Sequence, residues 1–188
     1  MKAKSFIMML IAVGLLAGCS NYEPEENFEI KGLGPDVEIT KYKGNSSEVN
    51  IPPEINGRKI IRIGSVAFRN YSGLVKVTIP DTVTEIGLGA FAECDYLSEV
   101  EIPKSVTEIG SEAFKNCKNL TNIEIPDGVR KIEFRAFGGS GLTEVKIPKS
   151  VTVIGSWAFE DCKNLTNIEI PDGVKLNHPD NPFLPKLF

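Results

Sequence analysis

The sequence predicts an α/β, β-rich solenoid of about five to six stacked coils. The first observation is a phrase that returns along the chain, marked by five Ile-Pro pairs at Ile79-Pro80, Ile102-Pro103, Ile125-Pro126, Ile147-Pro148 and Ile170-Pro171. The steps between these pairs are 23, 23, 22 and 23 residues. The second is a set of Ala-Phe pairs on the same beat, at Ala67-Phe68, Ala90-Phe91, Ala113-Phe114, Ala136-Phe137 and Ala158-Phe159. A period in the twenties indicates units that cannot bury their own apolar face and must stack on neighbours.

Residues 1–18 are expected to be a targeting segment rather than folded structure. Lys2 and Lys4 precede an apolar run over residues 6–16, which is too short to cross a bilayer as a helix, and Leu16-Ala17-Gly18-Cys19 follows. This order resembles the bacterial lipoprotein signal, and the resemblance implies that Cys19 carries lipid at the N-terminus of the mature chain. An ordinary secretory signal with a chance cysteine is the alternative. We expect a lipid-anchored protein of the cell envelope, at the outer membrane or the cell surface.

Residues 19–28 are expected to form an acidic, flexible tether. Glu23, Pro24, Glu25 and Glu26 leave few apolar side chains that can pack there. Acidic residues directly after a lipidated cysteine resemble a surface-export signal of some host-associated bacteria, and a plain spacer is the alternative.

Charge and length limit the possible partners. Removing residues 1–18 removes two of the 21 basic residues, so the mature chain has 19 basic residues against 25 acidic ones and a net charge of about −6. Nucleic acid is not expected as a partner, because affinity for it comes from Lys and Arg on phosphates. The 188-residue chain is long enough for one domain with a continuous core.

The segment that begins at Leu120 shows how one coil is expected to fold. Ile123-Glu124-Ile125 alternates at period two and predicts a short strand, which Pro126 ends because proline cannot donate to a ladder. Asp127-Gly128 predicts a turn, and a second short extended piece follows. Ala136-Phe137 then fills the far side of the core from a single helical or 3₁₀ turn.

Stacking such coils about 5 Å apart turns the core into columns of like residues. One column holds Leu74, Leu97, Leu120, Leu142 and Leu165. Another holds Phe68, Phe91, Phe114, Phe137 and Phe159. The predicted solenoid covers residues 60–176, after an N-terminal capping coil over 29–59 and before a C-terminal tail or cap over 177–188.

These residues also carry a family resemblance. The phrase Leu-x-x-Ile-x-Ile-Pro-x-x-Val-x-x-Ile-Gly-x-x-Ala-Phe-x-x-Cys resembles the BspA-type leucine-rich repeat of bacterial surface proteins over about residues 60–174. Residues 37–59 resemble the N-terminal coil of that family, with five extra residues at 55–59. The resemblance implies a right-handed leucine-rich-repeat horseshoe, adhesion or recognition at the cell surface, and no enzyme activity. It carries over no binding residue, because the motif fixes none.

Coil four, counted by its Ala-Phe pair, departs from the pattern. It lacks one residue between Phe137 and Leu142, and Glu133 replaces the glycine of the other coils. We expect this coil to be locally distorted. Residues 103–130 and 148–175 match at 23 of 28 positions, which indicates that a two-coil unit was duplicated.

The sequence offers little for catalysis. It has one histidine, His178, and it has no nucleophile–base, metal-ligand or phosphate-loop pattern. Paired carboxylates can hydrolyse glycosides, but these glutamates are repeat positions on an open face that does not desolvate a general acid. We therefore expect no enzyme activity, no cofactor and no metal.

Three further cysteines, Cys94, Cys117 and Cys162, share one position of the repeat. Cys94 and Cys117 lie on adjacent coils, within reach of a disulfide, whereas Cys162 is two coils beyond. Buried free thiols that pack a column are the favoured interpretation, and a Cys94–Cys117 disulfide is the alternative.

Outward positions of the first strand of each coil are expected to form a concave binding face. The candidate residues form two rows: Lys76, Glu99, Asn122, Glu144 and Asn167, and beside them Glu101, Glu124, Lys146 and Glu169. Five glutamates against two lysines make this face acidic, which favours a basic partner or a weak cation site. A solvated polar face without a ligand is the alternative.

A second candidate surface is an apolar patch. Phe134, Val153 and Trp157 occupy positions that should face outward, and Arg135 is expected near the Trp face. The alternative is that the C-terminal tail covers them, because it has four large apolar residues within 183–188. Either this tail caps the last coil, or two chains abut there as a weak homodimer.

The sequence therefore predicts a non-catalytic lipoprotein that is held to the membrane by its N-terminal lipid and binds an extracellular protein or glycan through a repeat surface. A structural or accessory envelope lipoprotein without a dedicated ligand is the alternative. A carboxylate-based hydrolase is the third possibility.

Overall fold

The computed structural model describes residues 21–177, which form six coils stacked on an N-terminal β-hairpin. The strands are β1 Phe28–Leu33, β2 Asp36–Tyr42, β3 Glu48–Asn50, β4 Glu54–Ile55, β5 Arg58–Ile63, β6 Lys76–Thr78, β7 Glu85–Ile86, β8 Glu99–Glu101, β9 Glu108–Ile109, β10 Lys131–Ile132, β11 Glu144–Lys146, β12 Val153–Ile154, β13 Asn167–Glu169 and β14 Lys175–Leu176. Helical structure in this range is limited to a 3₁₀ turn, Glu25–Asn27. No helix among residues 21–177 is long and apolar enough to serve as a membrane span. The β-rich solenoid predicted from the repeat is confirmed.

Each coil has a first strand and a second strand on different sides of the core. Coils one, two, three, five and six open with β3, β6, β8, β11 and β13 respectively. Coil four, residues 120–141, opens with Asn122–Glu124, which is not a strand.

The second strands form one continuous sheet. Its order is β1-β2-β5-β7-β9-β10-β12-β14, and β4 pairs with β5 beside this path. From β5 onward the neighbours are parallel and in register, so that Ile63, Ile86 and Ile109 lie opposite one another. β10 of coil four keeps this register with both β9 and β12. Coil four is therefore regular on this side, although it carries Glu133.

The first strands form two separate sheets. One has the order β3-β6-β8 and the other contains β11 and β13, while Asn122–Glu124 lies between them along the chain and pairs with neither. Val100 and Ile102 of coil three are partly buried, whereas Val77 and Ile79 of coil two are 0% and 3% exposed. The distortion predicted for coil four is confirmed, and it affects the first-strand side.

Two glycines mark close backbone contacts around coil four. A Cβ on Gly128 would overlap the carbonyl oxygen of Lys104, and a Cβ on Gly141 would overlap that of Lys118. Gly141 lies in the connection that is one residue short, and its N–H donates to the Cys117 carbonyl at 3.1 Å. The backbone of coil four is therefore packed tightly against that of coil three.

The predicted core columns are confirmed. Rings stack along the solenoid with successive centroids 5.0 to 5.4 Å apart, in the order Tyr42, Phe68, Phe91, Phe114, Phe137 and Phe159. In the leucine column the first four members are fully buried, and Leu165 of the last coil is partly buried. Tyr42 thus extends the phenylalanine column into the N-terminal cap.

The cysteines of the repeat are free thiols, as the favoured interpretation predicted. Cys94 and Cys117 are fully buried and donate to the carbonyls of Phe68 and Phe91, at 3.1 and 3.2 Å. Burial raises the pKa of Cys94 to about 12 and that of Cys117 well above its ordinary value. These thiols are therefore packing groups that stay protonated.

Two corners of each repeat place a residue at positive φ. At the first corner φ lies between 49° and 57°, for Val66, Gly89, Glu112, Arg135 and Trp157. At the second corner φ lies between 55° and 68°, for Asn70, Glu93, Asn116, Gly139 and Asp161. The helical or 3₁₀ turn expected around each Ala-Phe pair is not formed, because the left-handed residues interrupt any run of helical dihedrals and leave a series of turns.

The chain before β1 docks onto the end of the solenoid. We call residues Glu23–Asn27 the clasp. Glu23 is 7% exposed, and its Oε1 accepts hydrogen bonds from the Tyr42 hydroxyl and from Asn27 Nδ2, both at 2.7 Å. The N–H of Glu23 donates to the Asn50 carbonyl at 2.8 Å. Burial, and after it the hydrogen bond to Glu23, raises the pKa of Tyr42 to about 12.

The flexible tether predicted through residue 28 is wrong for the clasp and for Phe28, which is 5% exposed. A second anchor is Glu25, whose Oε2 accepts from the Asn56 N–H at 2.8 Å. The hydrogen bonds of Glu23 and Glu25 and the buried ring of Phe28 hold this segment in place, although its acidic composition favours solvated chain. Cys19 and the residue after it lie outside the described residues.

The two ends of the solenoid differ in burial. The five extra residues at 55–59 help to form the β4–β5 hairpin, whose Asn56-Gly57 turn has positive φ at both positions. At the other end β14 ends the sheet, and Ile170, Val174 and Leu176 are partly buried. Residues 178–188, which include most of the predicted tail, lie outside the described residues.

Candidate binding groove

The interruption of the first-strand side coincides with a groove of about 1100 Å³ across coils four to six. Its polar lining is Asn122, Glu124, Asp127, Glu144, Lys146, Lys149, Ser150, Asn167 and Glu169. Its apolar lining includes Ile123, Ile125, Val145, Ile147 and Ile170. The groove therefore combines charged groups, amides and apolar surface in one opening.

The structure divides the predicted concave face into two halves. In the first half Lys76 Nζ lies 2.6 Å from Glu99 Oε1 and 2.7 Å from Glu101 Oε1. Hydrogen bonds to these carboxylates raise the pKa of Lys76, and the bond from Lys76 lowers the pKa of Glu101. The lysine of this half is therefore already engaged by both of its glutamates.

The second half lies in the groove, and its charges are more loosely paired. Glu144 is opposite Asn167, and Lys146 is opposite Glu169, across the β11–β13 ladder. Lys146 Nζ is 3.8 Å from Glu169 Oε2, and the two side chains are 83% and 62% exposed. Such a pair contributes little to stability and stays accessible to a ligand.

Asn122 and Glu124 join this half rather than the first. Both are exposed, and both line the groove without entering the ladder on either side. Asp127 and Lys149 line the same groove but were not among the sequence candidates. The signal for them is their place directly after the Ile-Pro pair, next to the end of the first strand.

The structure also brings three members of the predicted apolar patch together, namely Phe134, Arg135 and Trp157. The rings of Phe134 and Trp157 meet edge to face with centroids 5.8 Å apart. Arg135 Cζ lies 5.2 Å from the Phe134 centroid and 5.5 Å from the Trp157 centroid. Arg135 Nε is ion-paired with Glu160 Oε2 at 2.5 Å. Val153 of the predicted patch lies in β12, opposite Lys131.

The side chains of the groove suit ligand binding better than catalysis. Glu124, Glu144 and Glu169 are exposed, so water solvates their charged forms. Within residues 21–177 there is no cluster of three or more side chains that could hold a metal ion. His178 and the lipid-bearing candidate Cys19 lie outside that range.

Comparison with protein families gives a direct result. The model of the BspA type leucine rich repeat region matches residues 41–166 in six copies. The chain belongs to the BspA-type leucine-rich repeat family. The matched residues span coils one to five, and they include all five Ala-Phe pairs and four of the five Ile-Pro pairs.

Solved structures of other bacterial repeat proteins resemble this BspA-type chain. A leucine-rich repeat protein of T. pallidum is 35% identical with a TM-score of 0.79, over 82% of this chain and 73% of that one. A leucine-rich repeat protein of Bacteroides ovatus is 35% identical with a TM-score of 0.71, over 77% of this chain and 39% of that one. One from Eubacterium ventriosum is 28% identical with a TM-score of 0.60, over 75% of this chain and 41% of that one.

This chain thus matches less than half the length of the Bacteroides and Eubacterium relatives. The comparison with curated proteins found no match. The solved relatives are named as leucine-rich repeat proteins and not as enzymes.

Proposed function

We propose that the protein is a non-catalytic, lipid-anchored receptor of the bacterial cell surface that binds an extracellular protein or glycan in the groove of coils four to six. The groove is the observation that carries the proposal. It lies where Asn122–Glu124 stays out of the ladder, so the backbone of that segment, charged side chains and apolar side chains line one opening. A ligand that enters it gains hydrogen bonds, charge contacts and apolar burial together.

The groove is a better candidate than the other two surfaces. Lys76 already engages Glu99 and Glu101, and the cation of Arg135 is already paired with Glu160. A partner at either surface would have to replace contacts that exist in the free protein. The Lys146–Glu169 pair is loose and exposed, so a partner can contact it without first breaking a close ion pair.

Catalysis does not fit the groove as well as binding does. A general acid needs a raised pKa, which burial or a close like charge provides. The carboxylates of the groove are exposed repeat positions, and similar repeat proteins carry names that describe repeats rather than reactions. The lipid anchor is supported by the resemblance of residues 1–19 to a lipoprotein signal.

A charge-reversal experiment tests the groove. The full chain in detergent is screened against immobilised matrix glycoproteins and a glycan array. For any ligand found, Glu124→Lys with Glu144→Lys should weaken binding by about tenfold or more, because the added charges oppose the contacts that the groove offers. Glu26→Lys with Glu54→Lys is the matched control, since both positions are exposed and lie at the opposite end of the solenoid.

Three results would count against the proposal. If the groove variant and the control variant lose ligand binding equally, the cause is a general effect of charge and not a binding site in the groove. Unchanged binding in the groove variant would move the site elsewhere on the solenoid. If no matrix protein or glycan binds the wild-type chain, the receptor role fails and a structural role in the envelope takes its place.

A further inference from the structure

The clasp changes the length of chain that separates the solenoid from its N-terminal anchor. Free chain through residue 28 would allow nine Cα steps between Cys19 and the solenoid, at most about 32 Å. The clasp fixes the chain from Glu23, which leaves four steps, at most about 14 Å. The structure therefore leaves three residues between the anchor and the folded body.

We propose that the clasp holds the N-terminal end of the solenoid, the β1–β2 hairpin, against the lipid surface and directs the groove away from it. This arrangement rests on the lipid anchor at Cys19 that belongs to the proposed function. The membrane-facing surface is then the edge strand β1 and the turn that follows it, where Leu33 is exposed.

The clasp is a built contact rather than a chance one. Buried Glu23 has two side-chain donors, and its own N–H bonds to coil one. Glu25 reaches the β4–β5 hairpin, so two separate parts of the solenoid hold the segment. A Cβ on Gly44 would overlap the Tyr42 hydroxyl, so the sequence keeps open the space that the Glu23–Tyr42 pair needs.

The stacking of the coils then sets the distance between the groove and the N-terminal end of the solenoid. β10 of coil four is four strand spacings from β2, or about 19 Å, and β14 is six spacings away, or about 29 Å. The groove of coils four to six thus occupies the half of the solenoid that lies farther from the anchor. A tether of four steps keeps the N-terminal end near the bilayer while this half stays open to large ligands.

Fluorescence quenching tests the arrangement. The full lipidated chain is placed in vesicles of phosphatidylethanolamine and phosphatidylglycerol that contain a headgroup-linked quencher. A fluorophore is attached at Leu33→Cys on the N-terminal end or at Asp172→Cys, an exposed position on the last coil. Cys94 and Cys117 are buried and should not label, and Cys162→Ser introduces the residue that coil four has at this position.

We expect quenching at residue 33 to be several-fold stronger than at residue 172. Glu23→Ala should reduce the quenching at residue 33, whereas Glu26→Ala, an exposed acidic residue of the same clasp, should leave it unchanged. A linker of about ten Gly and Ser residues after Ser20 should also reduce it, and this variant leaves the folded body untouched if Glu23→Ala proves unstable.

The outcomes separate two kinds of failure. Mass spectrometry of the chain first tests for lipid on Cys19, and its absence would overturn both the anchor and this arrangement. With lipid present, equal quenching at the two probe positions would overturn the arrangement alone. Unchanged quenching after the linker insertion would show that the short tether is not what holds the N-terminal end near the bilayer.

Discussion

Residues 119–129 and 164–174 have the same eleven amino acids but different structures. In the second copy Asn167–Glu169 is strand β13 and pairs with β11, whereas in the first copy Asn122–Glu124 is not a strand. Even the shared turn differs, because Gly173 has φ of 83° and open space around it, while Gly128 presses on the Lys104 carbonyl. Strand formation in this repeat therefore depends on neighbouring coils and not on the segment itself.

The neighbours of the first copy explain the difference. Coil five reaches coil four through a connection that lacks one residue, and close backbone contacts occur at Gly128 and Gly141. Strand β11, which would pair with Asn122–Glu124, begins directly after that connection, whereas β10 and β12 lie farther from it and keep their register. One missing residue thus breaks one ladder and leaves the other intact.

The largest effect is expected from Gly141→Ala. The added Cβ would overlap the Lys118 carbonyl, and the short connection has no slack to relieve the overlap, so unfolding should become easier by about 2 to 3 kcal/mol. Urea unfolding of the full chain measures this. Gly138→Ala is the control, because its Cβ would find its nearest neighbour at 3.4 Å. Similar losses for both variants would contradict the idea of a taut connection.

A smaller, stabilising effect is expected from inserting Lys between Ser140 and Gly141. This gives coil four the Ser-Lys-x-Leu spacing that matches Cys162-Lys163-Asn164-Leu165. Residues 122–124 should then join the ladder, which adds about 1 to 2 kcal/mol of stability through recovered hydrogen bonds. Hydrogen exchange of the amides of 123–125 should slow accordingly.

The control for this insertion is the same Lys placed after Cys162, where the coil already has its full length and should be destabilised. In the chain with the useful insertion, Gly141→Ala should also cost less, because the two changes act on one connection. Unchanged exchange at 123–125 would mean that another feature keeps this segment out of the ladder.

The smallest effect concerns the regular half of the same face. Lys76→Met should raise the pKa of Glu101 toward its ordinary value of 4.5, because the bond from Lys76 is the main cause of its lowering. A depressed carboxyl pKa stabilises the fold above the unfolded-state value, and that contribution is lost as pH falls through the folded-state value. The stability difference between wild type and Lys76→Met should therefore shrink in acid.

Titration of the Glu101 side chain by NMR checks this, and Lys146→Met provides the comparison in the loosely paired half. In Lys146→Met the pKa of Glu101 should stay as low as in the wild type, since Lys146 pairs with Glu169 and not with Glu101. A pKa of Glu101 that stays low without Lys76 would show that another group sets it.

The sequence predicted the features that recur from repeat to repeat. The Phe and Leu columns, the Ile-Pro strand ends and the free buried thiols follow from residue types at fixed spacing. The missing residue before Leu142 predicted a distortion in coil four, but not which ladder would break. That depends on which side of the closed coil accommodates the loss of one residue.

The clasp was beyond sequence reasoning for a different reason. Its acidic composition predicts solvated chain, and the burial of Glu23 depends on donors from Tyr42, nineteen residues away, and from Asn27. A weak signal exists in hindsight, since Tyr42 lies 26 residues before Phe68 and continues its column, and Gly44 leaves room for the hydroxyl. Such a contact is set by tertiary structure and has no local pattern.

The corner residues at positive φ have a consequence for how such an array diversifies. At the first corner the same backbone bend accommodates Val66, Gly89, Glu112, Arg135 and Trp157. The fold tolerates an aliphatic, an acidic, a basic and an aromatic side chain there. Mutations at this corner can therefore change the surface of each coil separately while the core stays the same. All five coils differ at this bend, so new specificities can arise there without a new scaffold.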